Sequence, residues 1–245
     1  MQRNNIINEY CVSSHLKDYF SKEIVTWFSK NKRKLPWRTR ISQDNFSYLV
    51  FVSEFMLQQT QVKTVIPYFE RFVDKWPSLK TLARANHNEI LVFWQGLGYY
   101  SRGRNLLKSA KIIVSDYNGK IPVKEDELKK LPGVGDYTAA AIRSIAFNKK
   151  AIAIDGNVKR VIARFFGLEG AIEKNLRTIY KFAEAICPNS NNRNYTQGVM
   201  ELGATICKPK KPDCLQCVIS KHCIAYNSHK TLSIPLQKKS FKKRN

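Results

Sequence analysis

LPGVGDYTAAAI, residues 131–142, is the stretch of this chain that says most about its fold. Gly133 and Gly135 stand two residues apart, which lets the backbone turn tightly and approach a partner closely. A helix predicted to begin near Tyr137 follows at once, so amides of the turn and of the helix N-terminus point outward and can bind an anion. An ordinary corner between two helices would also fit this segment, so its meaning depends on the rest of the chain.

The charge of the chain indicates which anion to expect. Lys and Arg number 42 against 19 Asp and Glu, so the 245 residues carry a formal net charge of +23. A polyanion is the expected partner and nucleic acid is the first candidate, which makes a backbone phosphate the expected anion at the hairpin. An apolar fraction of 43% is enough for a sizeable core, in one large domain or two small ones.

The termini and the cysteine usage indicate the compartment. The N-terminal MQRNNIINEY has no apolar signal core, and the apolar stretches, such as YLVFV at 48–52, are too short to span a bilayer. Cys11 and Cys187 are expected to be free thiols, so no disulfide framework is predicted. We therefore expect a cytoplasmic protein, associated with the nucleoid if the source is bacterial.

Helical periodicity is widespread and strand signals are few, which predicts an all-α fold. Apolar residues near i, i+3 and i+4 mark an amphipathic helix over 15–30, and a basic loop broken by Pro36 follows it. The polar tail after His229 is expected to be a solvated basic arm. Further helices are predicted over 47–61, 62–75, 78–84, 87–94, 99–117, 125–131, 136–147, 156–166, 173–187 and 193–206.

Four cysteines near the C-terminus have the spacing C-x6-C-x2-C-x5-C: Cys207, Cys214, Cys217 and Cys223. Four thiolates so close in sequence can surround one tetrahedral centre, either a zinc ion or a [4Fe–4S] cluster. Zinc sites usually pair two C-x2-C knuckles across a longer loop, whereas one C-x2-C with two longer arms suits a bulkier cluster. The spacing therefore favours iron–sulfur over zinc, and either of them over four unrelated buried cysteines.

Two carboxylates stand in unusual surroundings. Glu54 is the only charged residue between positions 48 and 62, and a Glu on an apolar helix resists ionisation, so we expect its pKa to be raised. A Glu at the solvent edge of the helix is the alternative. Asp155 follows four apolar residues and precedes a helix start. For Asp155 the alternative to a catalytic role is that of a helix N-cap, worth about 1 kcal/mol.

The two carboxylates also suit a catalytic pair. One protonated and one ionised carboxyl group together cleave glycosidic bonds. In a nucleic-acid substrate the target is the N-glycosidic bond. Glu54 would protonate the leaving base, and Asp155 would stabilise the oxocarbenium-like sugar electrostatically.

Taken together, several ordered motifs resemble the MutY-type adenine DNA glycosylases of the endonuclease III superfamily. The resemblance covers about residues 20–229, and the hairpin resembles the helix–hairpin–helix of DNA glycosylases. The motifs that carry it are PWR (36–38), SEFMLQQTQV (53–62), WQGLGYYSR (94–102), LPGVGDYTAAAI (131–142), AIDGNVKRV (153–161), MELGATIC (200–207) and the four cysteines.

The resemblance implies a six-helix barrel domain and a [4Fe–4S] cluster domain. The barrel would occupy residues 43–150, with its helix–hairpin–helix at 126–146. The cluster domain would occupy residues 151–229, with residues 1–42 packed against it. Residues 230–245 would form the basic tail.

The resemblance also assigns roles to single residues. It makes Glu54 the general acid and Asp155 the carboxylate that stabilises the cation, with Tyr137 and Asn157 lining the same pocket. Arg38 and Glu201 match groups near the flipped adenine, whereas Gln59 and Tyr99 match segments that probe the opposing base. Core packing is the alternative role for Tyr99 and Tyr100. The residues matched to substrate or DNA binding are Arg38, Gln59, Leu97, Tyr99, Gly133, Gly135 and Glu201.

The implied function is excision of adenine opposite 8-oxoguanine or guanine in double-stranded DNA, by a monomer that carries a [4Fe–4S] cluster. Bifunctional relatives have a lysine two residues after the second glycine of the hairpin, which forms a Schiff base with the sugar. Tyr137 occupies that position here, which predicts a monofunctional enzyme. The alternatives are a pyrimidine-damage glycosylase like endonuclease III, a non-catalytic DNA-binding iron–sulfur protein, and an electron carrier.

Members of this family commonly carry a C-terminal Nudix-like domain that helps to recognise 8-oxoguanine. This chain ends where that domain would begin. We therefore expect weaker discrimination between 8-oxoguanine and guanine than in two-domain relatives.

Overall fold

The computed structural model describes residues 7–8, 11–39 and 45–236, which are almost entirely helical, so the all-α prediction is confirmed. One antiparallel ribbon precedes the helices, with Ile7 opposite Val12 and Asn8 opposite Cys11. In chain order the elements are β1 (Ile7–Asn8), β2 (Cys11–Val12), α1 (Ser14–Asn31), α2 (Pro36–Thr39), α3 (Phe46–Leu57), α4 (Val62–Lys75), α5 (Leu79–Ala83), α6 (His87–Trp94), α7 (Ser101–Asp116), α8 (Glu125–Lys129), α9 (Asp136–Ala141), α10 (Gly156–Phe165), α11 (Leu176–Ile186), α12 (Asn192–Thr205) and α13 (Ile224–Asn227). A π-helical turn, Ile142–Ala146, continues α9, and short 3-10 turns lie at Ile172–Asn175 and Ser220–His222.

The described residues form two compact units. The first contains the residues up to Lys32 and those from Ile154 onward, and the second contains those between Arg33 and Ala153. The sequence places these transitions after residues 42 and 150. The segment after Lys32 belongs to the second unit because Trp37 is buried there and packs edge-to-face on Phe69, with ring centroids 5.3 Å apart.

Helix α3 lies at the centre of the second unit. Its residues from Tyr48 to Met56 are all buried, as expected for a helix that is apolar on every side. An aromatic cluster packs elsewhere in this core, where Phe72 contacts Trp76 and Trp94, and Trp76 also contacts Phe93. These large side chains fix the positions of α4 and α6 relative to each other.

The first unit is built around the packing of α1 on α12. The two helices approach closely at Gly198, where an added Cβ would lie 2.7 Å from Ile24 Cγ2. Phe20 of α1 contacts Phe165 of α10 edge-to-face at 4.7 Å. Helix α1, near the N-terminus, therefore completes a hydrophobic core that is otherwise built from residues after Ile154.

Most predicted helices match the structure, including α4 and α6 residue for residue, but the helix predicted over 47–61 ends at Leu57. The last predicted turn is lost because Gln59 has a φ of 56° and the carbonyls at the helix end accept hydrogen bonds from Arg102.

The predicted tail begins differently from expectation. Residues 237–245 lie outside the described part of the chain. Before them, Ile234 is buried and its carbonyl accepts a hydrogen bond from Arg164 Nε at 2.8 Å, so residues 230–236 pack on the first unit. None of the helices among the described residues combines the length and the apolar composition needed to cross a membrane.

Candidate active site

Glu54 is buried in the second unit. It lies on α3 with 6% of its surface exposed, which contradicts a position at the solvent edge of the helix. Its neighbours along the helix, Ser53 and Phe55, are buried as well. Burial of a carboxyl group penalises its ionised form, and this is the environment that a general acid requires.

Asp155 caps α10 in the first unit. Its Oδ1 accepts a hydrogen bond from the backbone N–H of Val158 at 2.7 Å, so the N-cap role is observed. Its second oxygen, Oδ2, accepts from Asn157 Nδ2 at 3.0 Å. The carboxyl group is half-buried, and one hydrogen bond to each oxygen holds it in a single orientation.

Arg160 in turn holds Asn157. Its Nη2 donates to Asn157 Oδ1 at 2.8 Å and to the Gly203 carbonyl at 2.7 Å, while its Nε donates to the Cys207 carbonyl at 2.8 Å. The backbone of α12 comes so close that a Cβ at Gly203 would lie 2.6 Å from Asn157 Cβ. Hydrogen bonds therefore run continuously from the first cysteine of the cysteine-rich loop to the Asp155 carboxylate.

Three other predicted site residues have distinct environments. Glu201 is almost fully buried on α12 in the first unit. Arg38 and Tyr137 are half-buried in the second unit, on α2 and at the second position of α9. Of the predicted site residues, the structure brings Asp155 and Asn157 into direct hydrogen-bonded contact.

The hairpin between α8 and α9 has two unlike glycines. Gly133 has a φ of 82°, and an added Cβ would lie 2.9 Å from both Asn105 Cβ and Phe55 Cε1. Gly135 has an extended backbone with a φ of −95°, and an added Cβ would meet nothing within 4 Å. The fold itself therefore requires glycine at the first position, whereas only an approaching partner would require it at the second.

Two exposed turns present the residues predicted to probe DNA. Gln59 is exposed just after α3, and Tyr99 is 61% exposed just before α7. Tyr99 therefore has no core-packing role, and Tyr100 is 40% exposed. Both Gln59 and Tyr99 have positive φ values, 56° and 47°, which is strained for residues with a side chain. Leu97, by contrast, is buried, so its side chain packs inside the second unit.

The four predicted metal ligands line one small cavity in the first unit. Arg164 Nη1 donates to Cys207 Sγ at 3.4 Å, and Cys223 Sγ donates to the Arg164 carbonyl at 3.5 Å. Burial, reinforced by the neighbouring thiolates, raises the pKa of Cys217 to about 12 and that of Cys223 to about 11. Buried thiols ionise together when a metal centre supplies positive charge, so the donor set fits a metal-bound group.

The same cavity has an apolar wall. Val161, Ile206 and Tyr226 line it together with the four cysteines. Among the residues described, no three His, Cys, Asp or Glu side chains are gathered closely enough to hold a bare metal ion.

Sequence reasoning missed the arginines that organise these sites. Arg102 and Arg164 are 6% and 2% exposed, and Arg160 is half-buried. One signal was available, because Arg102 stands four residues before Leu106 on the apolar face of α7, where a solvated basic residue is not expected. Many of their carbonyl partners are distant in sequence, such as Met56 for Arg102 and Ile234 for Arg164, and no local pattern reveals them.

The chain has relatives among known proteins. The family model described as HhH-GPD superfamily base excision DNA repair protein matches residues 52–187. The adenine DNA glycosylase of Buchnera aphidicola subsp. Schizaphis graminum is 41% identical over 223 residues, which is 90% of this chain and 63% of that protein. The adenine DNA glycosylase of Rattus norvegicus is 40% identical over 229 residues, covering 90% of this chain and 44% of the rat protein. The chain thus spans less than two thirds of the length of either relative.

Solved structures agree with the sequence matches. A thermostable thymine-DNA glycosylase aligns with a TM-score of 0.75 and 31% identity, over 87% of this chain and 98% of the other. Endonuclease III in a non-covalent DNA complex aligns with a TM-score of 0.68 over 89% of this chain and 98% of the other, but at 23% identity it supports the fold alone. The resemblance and the helix–hairpin–helix glycosylase fold drawn from the motifs are confirmed.

Proposed function

Because the chain belongs to the HhH-GPD superfamily of base excision DNA repair proteins, we propose that it is an adenine DNA glycosylase. Its substrate is double-stranded DNA in which adenine is mispaired with 8-oxoguanine or guanine, and it acts as a monomer. The observation that carries this proposal is the buried Glu54 carboxyl group on an otherwise apolar helix, in a chain whose relatives include adenine DNA glycosylases. A chromosomal substrate implies a cytoplasmic, nucleoid-associated location in a bacterium.

The proposed chemistry uses one carboxyl group as an acid and one as an anion. The target adenine must first leave the base stack, because its glycosidic bond is not accessible inside a duplex. Glu54 donates its proton to the departing base while the bond between the sugar C1′ and the base nitrogen breaks. Asp155, fixed by Val158 and Asn157, stabilises the positive charge that develops on the sugar. Water adds to C1′, which yields free adenine and an abasic site.

Tyr137 supports a monofunctional reaction. A bifunctional enzyme needs an amine to attack C1′, and the phenol at this position cannot form a Schiff base. The product is therefore an intact strand that carries an abasic site.

We further propose that Cys207, Cys214, Cys217 and Cys223 hold a [4Fe–4S] cluster. All four side chains face one cavity, and the spacing with a single C-x2-C supports a cluster over a zinc ion. When bound, the cluster crosslinks the loop from 207 to 223 and leaves its lysines, Lys208, Lys210 and Lys211, free to reach phosphates. The purified protein should be brown, with about four irons per chain, and stoichiometric zinc from iron-replete anaerobic cells contradicts the assignment.

The decisive experiment is single-turnover excision from four duplexes. They carry adenine opposite 8-oxoguanine, adenine opposite guanine, thymine opposite guanine, and thymine glycol. We expect cleavage of the two adenine substrates only. Preferential removal of thymine glycol would instead identify a pyrimidine-damage enzyme. No excision from any of the four duplexes would indicate a non-catalytic DNA-binding protein.

Variants test whether Glu54 performs the reaction. Glu54→Gln keeps the shape and removes the acid, so excision should fall by at least about 10²-fold while duplex affinity is retained. Glu184→Gln on the exposed face of α11 makes the same chemical change at a residue outside the predicted site and serves as the control. A normal rate in Glu54→Gln overturns the assignment.

A further inference from the structure

One buried arginine joins the two turns that carry Gln59 and Tyr99. We call these turns the probing turns: residues 58–60 after α3 and residues 95–100 before α7. Arg102 lies on the first turn of α7, and only 6% of its surface is exposed. Its contacts account for the conformation of both turns.

The first probing turn is held through Nη1 of Arg102. This nitrogen donates to the Met56 carbonyl at 2.7 Å, to the Phe55 carbonyl at 3.4 Å, and to the Gln58 carbonyl. These are the orphan carbonyls at the end of α3, which normally bind water or a cap. Because Arg102 binds the carbonyl of Gln58, it fixes the peptide that immediately precedes the left-handed residue Gln59.

The second probing turn is held through Nη2. This nitrogen donates to the carbonyls of Leu97 and Gly98, both at 3.0 Å. Trp94 Nε1 donates to the same Gly98 carbonyl at 3.2 Å. The Gly98 carbonyl immediately precedes the left-handed residue Tyr99, whose ring lies 5.5 Å from the Arg102 guanidinium carbon.

The first probing turn is also attached to the hairpin. Gln58 Nε2 donates to the Gly133 carbonyl and to Thr138 Oγ1, both at 3.2 Å. Arg102 and Gln58 thus connect three surface segments that are separate in sequence. Two carry left-handed residues with exposed side chains, and the third is the glycine-rich turn.

Burying the Arg102 cation has a desolvation cost, which its hydrogen bonds and ring contacts must offset. Among the described residues no carboxylate pairs with Arg102, and only carbonyl oxygens and two aromatic rings compensate its charge. A guanidinium can do this because its planar fork directs donors in two directions at once. A lysine ammonium in the same place is a point charge that cannot span both turns.

We propose that Arg102 is a positioning residue that holds both probing turns in one fixed arrangement, ready to fill the gap left by an extruded base. This inference rests on the proposed function, because it concerns how adenine leaves the duplex before Glu54 acts on it. Filling the gap requires Gln59 and Tyr99 to enter the duplex in concert. A change at Arg102 should therefore slow base extrusion and leave bond cleavage itself intact.

The test compares two substrates in Arg102→Lys and Arg102→Gln. One substrate has adenine opposite guanine, and the other has a bulged adenine with no opposing nucleotide, which is already unpaired. On the mispair the single-turnover rate per active molecule should fall about 10²-fold, the cost typical of misplaced positioning groups. On the bulge the rate should fall by less than roughly three-fold, because the adenine is already unpaired and needs little help to leave the stack. Active-site titration corrects for any inactive protein, and Arg84→Lys on the exposed end of α5 is the control.

The outcomes separate cleanly. Equal losses on both substrates, an unchanged rate on the mispair, or loss of folding in both Arg102 variants would show a merely structural role and overturn the proposal. A larger loss on the mispair supports it. If wild-type protein excises adenine from neither substrate, the proposed function fails instead, and that result does not depend on Arg102.

Discussion

Adding one methyl group at each glycine of the hairpin should separate folding from DNA binding. At Gly133 the methyl group meets a φ of 82° and two atoms at 2.9 Å. A left-handed non-glycine residue costs about 1–2 kcal/mol, and overpacking adds about 1–3 kcal/mol. Gly133→Ala should therefore lose about 2–5 kcal/mol of unfolding free energy, or roughly 5–15 °C in Tm.

At Gly135 the methyl group meets only open space, and the backbone is extended. A weaker N-cap lowers the unfolding free energy by up to about 1 kcal/mol. The reduced conformational freedom of the unfolded chain raises it by about 0.4–1 kcal/mol. Stability should therefore change little. DNA is expected to approach this position, so the methyl group should displace a phosphate from its backbone donors. A charge-assisted hydrogen bond is worth about 1.5–3 kcal/mol, so the Kd should rise about ten-fold or more.

Thermal unfolding and fluorescence anisotropy with a labelled duplex measure the two effects, at one fixed salt concentration. Gly135→Ala should also show a shallower salt dependence, by about 0.9 in the log–log slope, if one phosphate contact is lost. The reasoning fails if Gly133→Ala melts like the wild type. It fails equally if Gly135→Ala binds duplex DNA with unchanged affinity.

Four further predictions concern chemistry and cofactor. Asp155→Asn should keep the N-cap, because Asn caps as well as Asp, yet lower single-turnover excision by at least about 10²-fold; a normal rate contradicts charge stabilisation. Gly203→Ala should displace Asn157 and slow excision with little change in duplex affinity, which anisotropy and rate measurements compare in the same preparation. With Tyr137 in place, borohydride should trap little covalent complex during turnover, whereas efficient trapping would show that another amine attacks the sugar. Cys217→Ser should reduce iron content and DNA binding more than the rate of the bound complex, and full iron occupancy in this variant contradicts the ligand assignment.

The helices could be predicted well because their periodic apolar positions are local. Residues 62–75 and 87–94 form α4 and α6 as predicted. The predicted helix over 47–61 ended early because Arg102, more than forty residues away, binds the carbonyls at its end. Sequence periodicity carries no information on such a contact.

In the candidate site, too, features set by neighbouring residues could be predicted, whereas tertiary contacts could not. Burial of Glu54 and the capping position of Asp155 follow from their immediate neighbours in sequence. The contacts of Asn157 with Arg160 and with α12 depend on tertiary packing. The difference between Gly133 and Gly135 was also hidden, since φ and close approach are properties of the folded backbone.

The division of the first unit into two sequence segments has a consequence for biosynthesis. Helix α1 is made first, but its partner α12 follows only after the whole second unit has been translated, on the order of ten seconds or more later at typical elongation rates. Until then the apolar side of α1, with Phe20, Ile24 and Phe28, has no native surface to cover it. Tyr19 on this same helix donates a hydrogen bond to the Val218 carbonyl, which lies between the last two cysteines, Cys217 and Cys223. The oldest part of the nascent chain therefore docks on the cysteine loop at the end of synthesis, so folding of that loop and docking of the N-terminal helix are steps of one late assembly event.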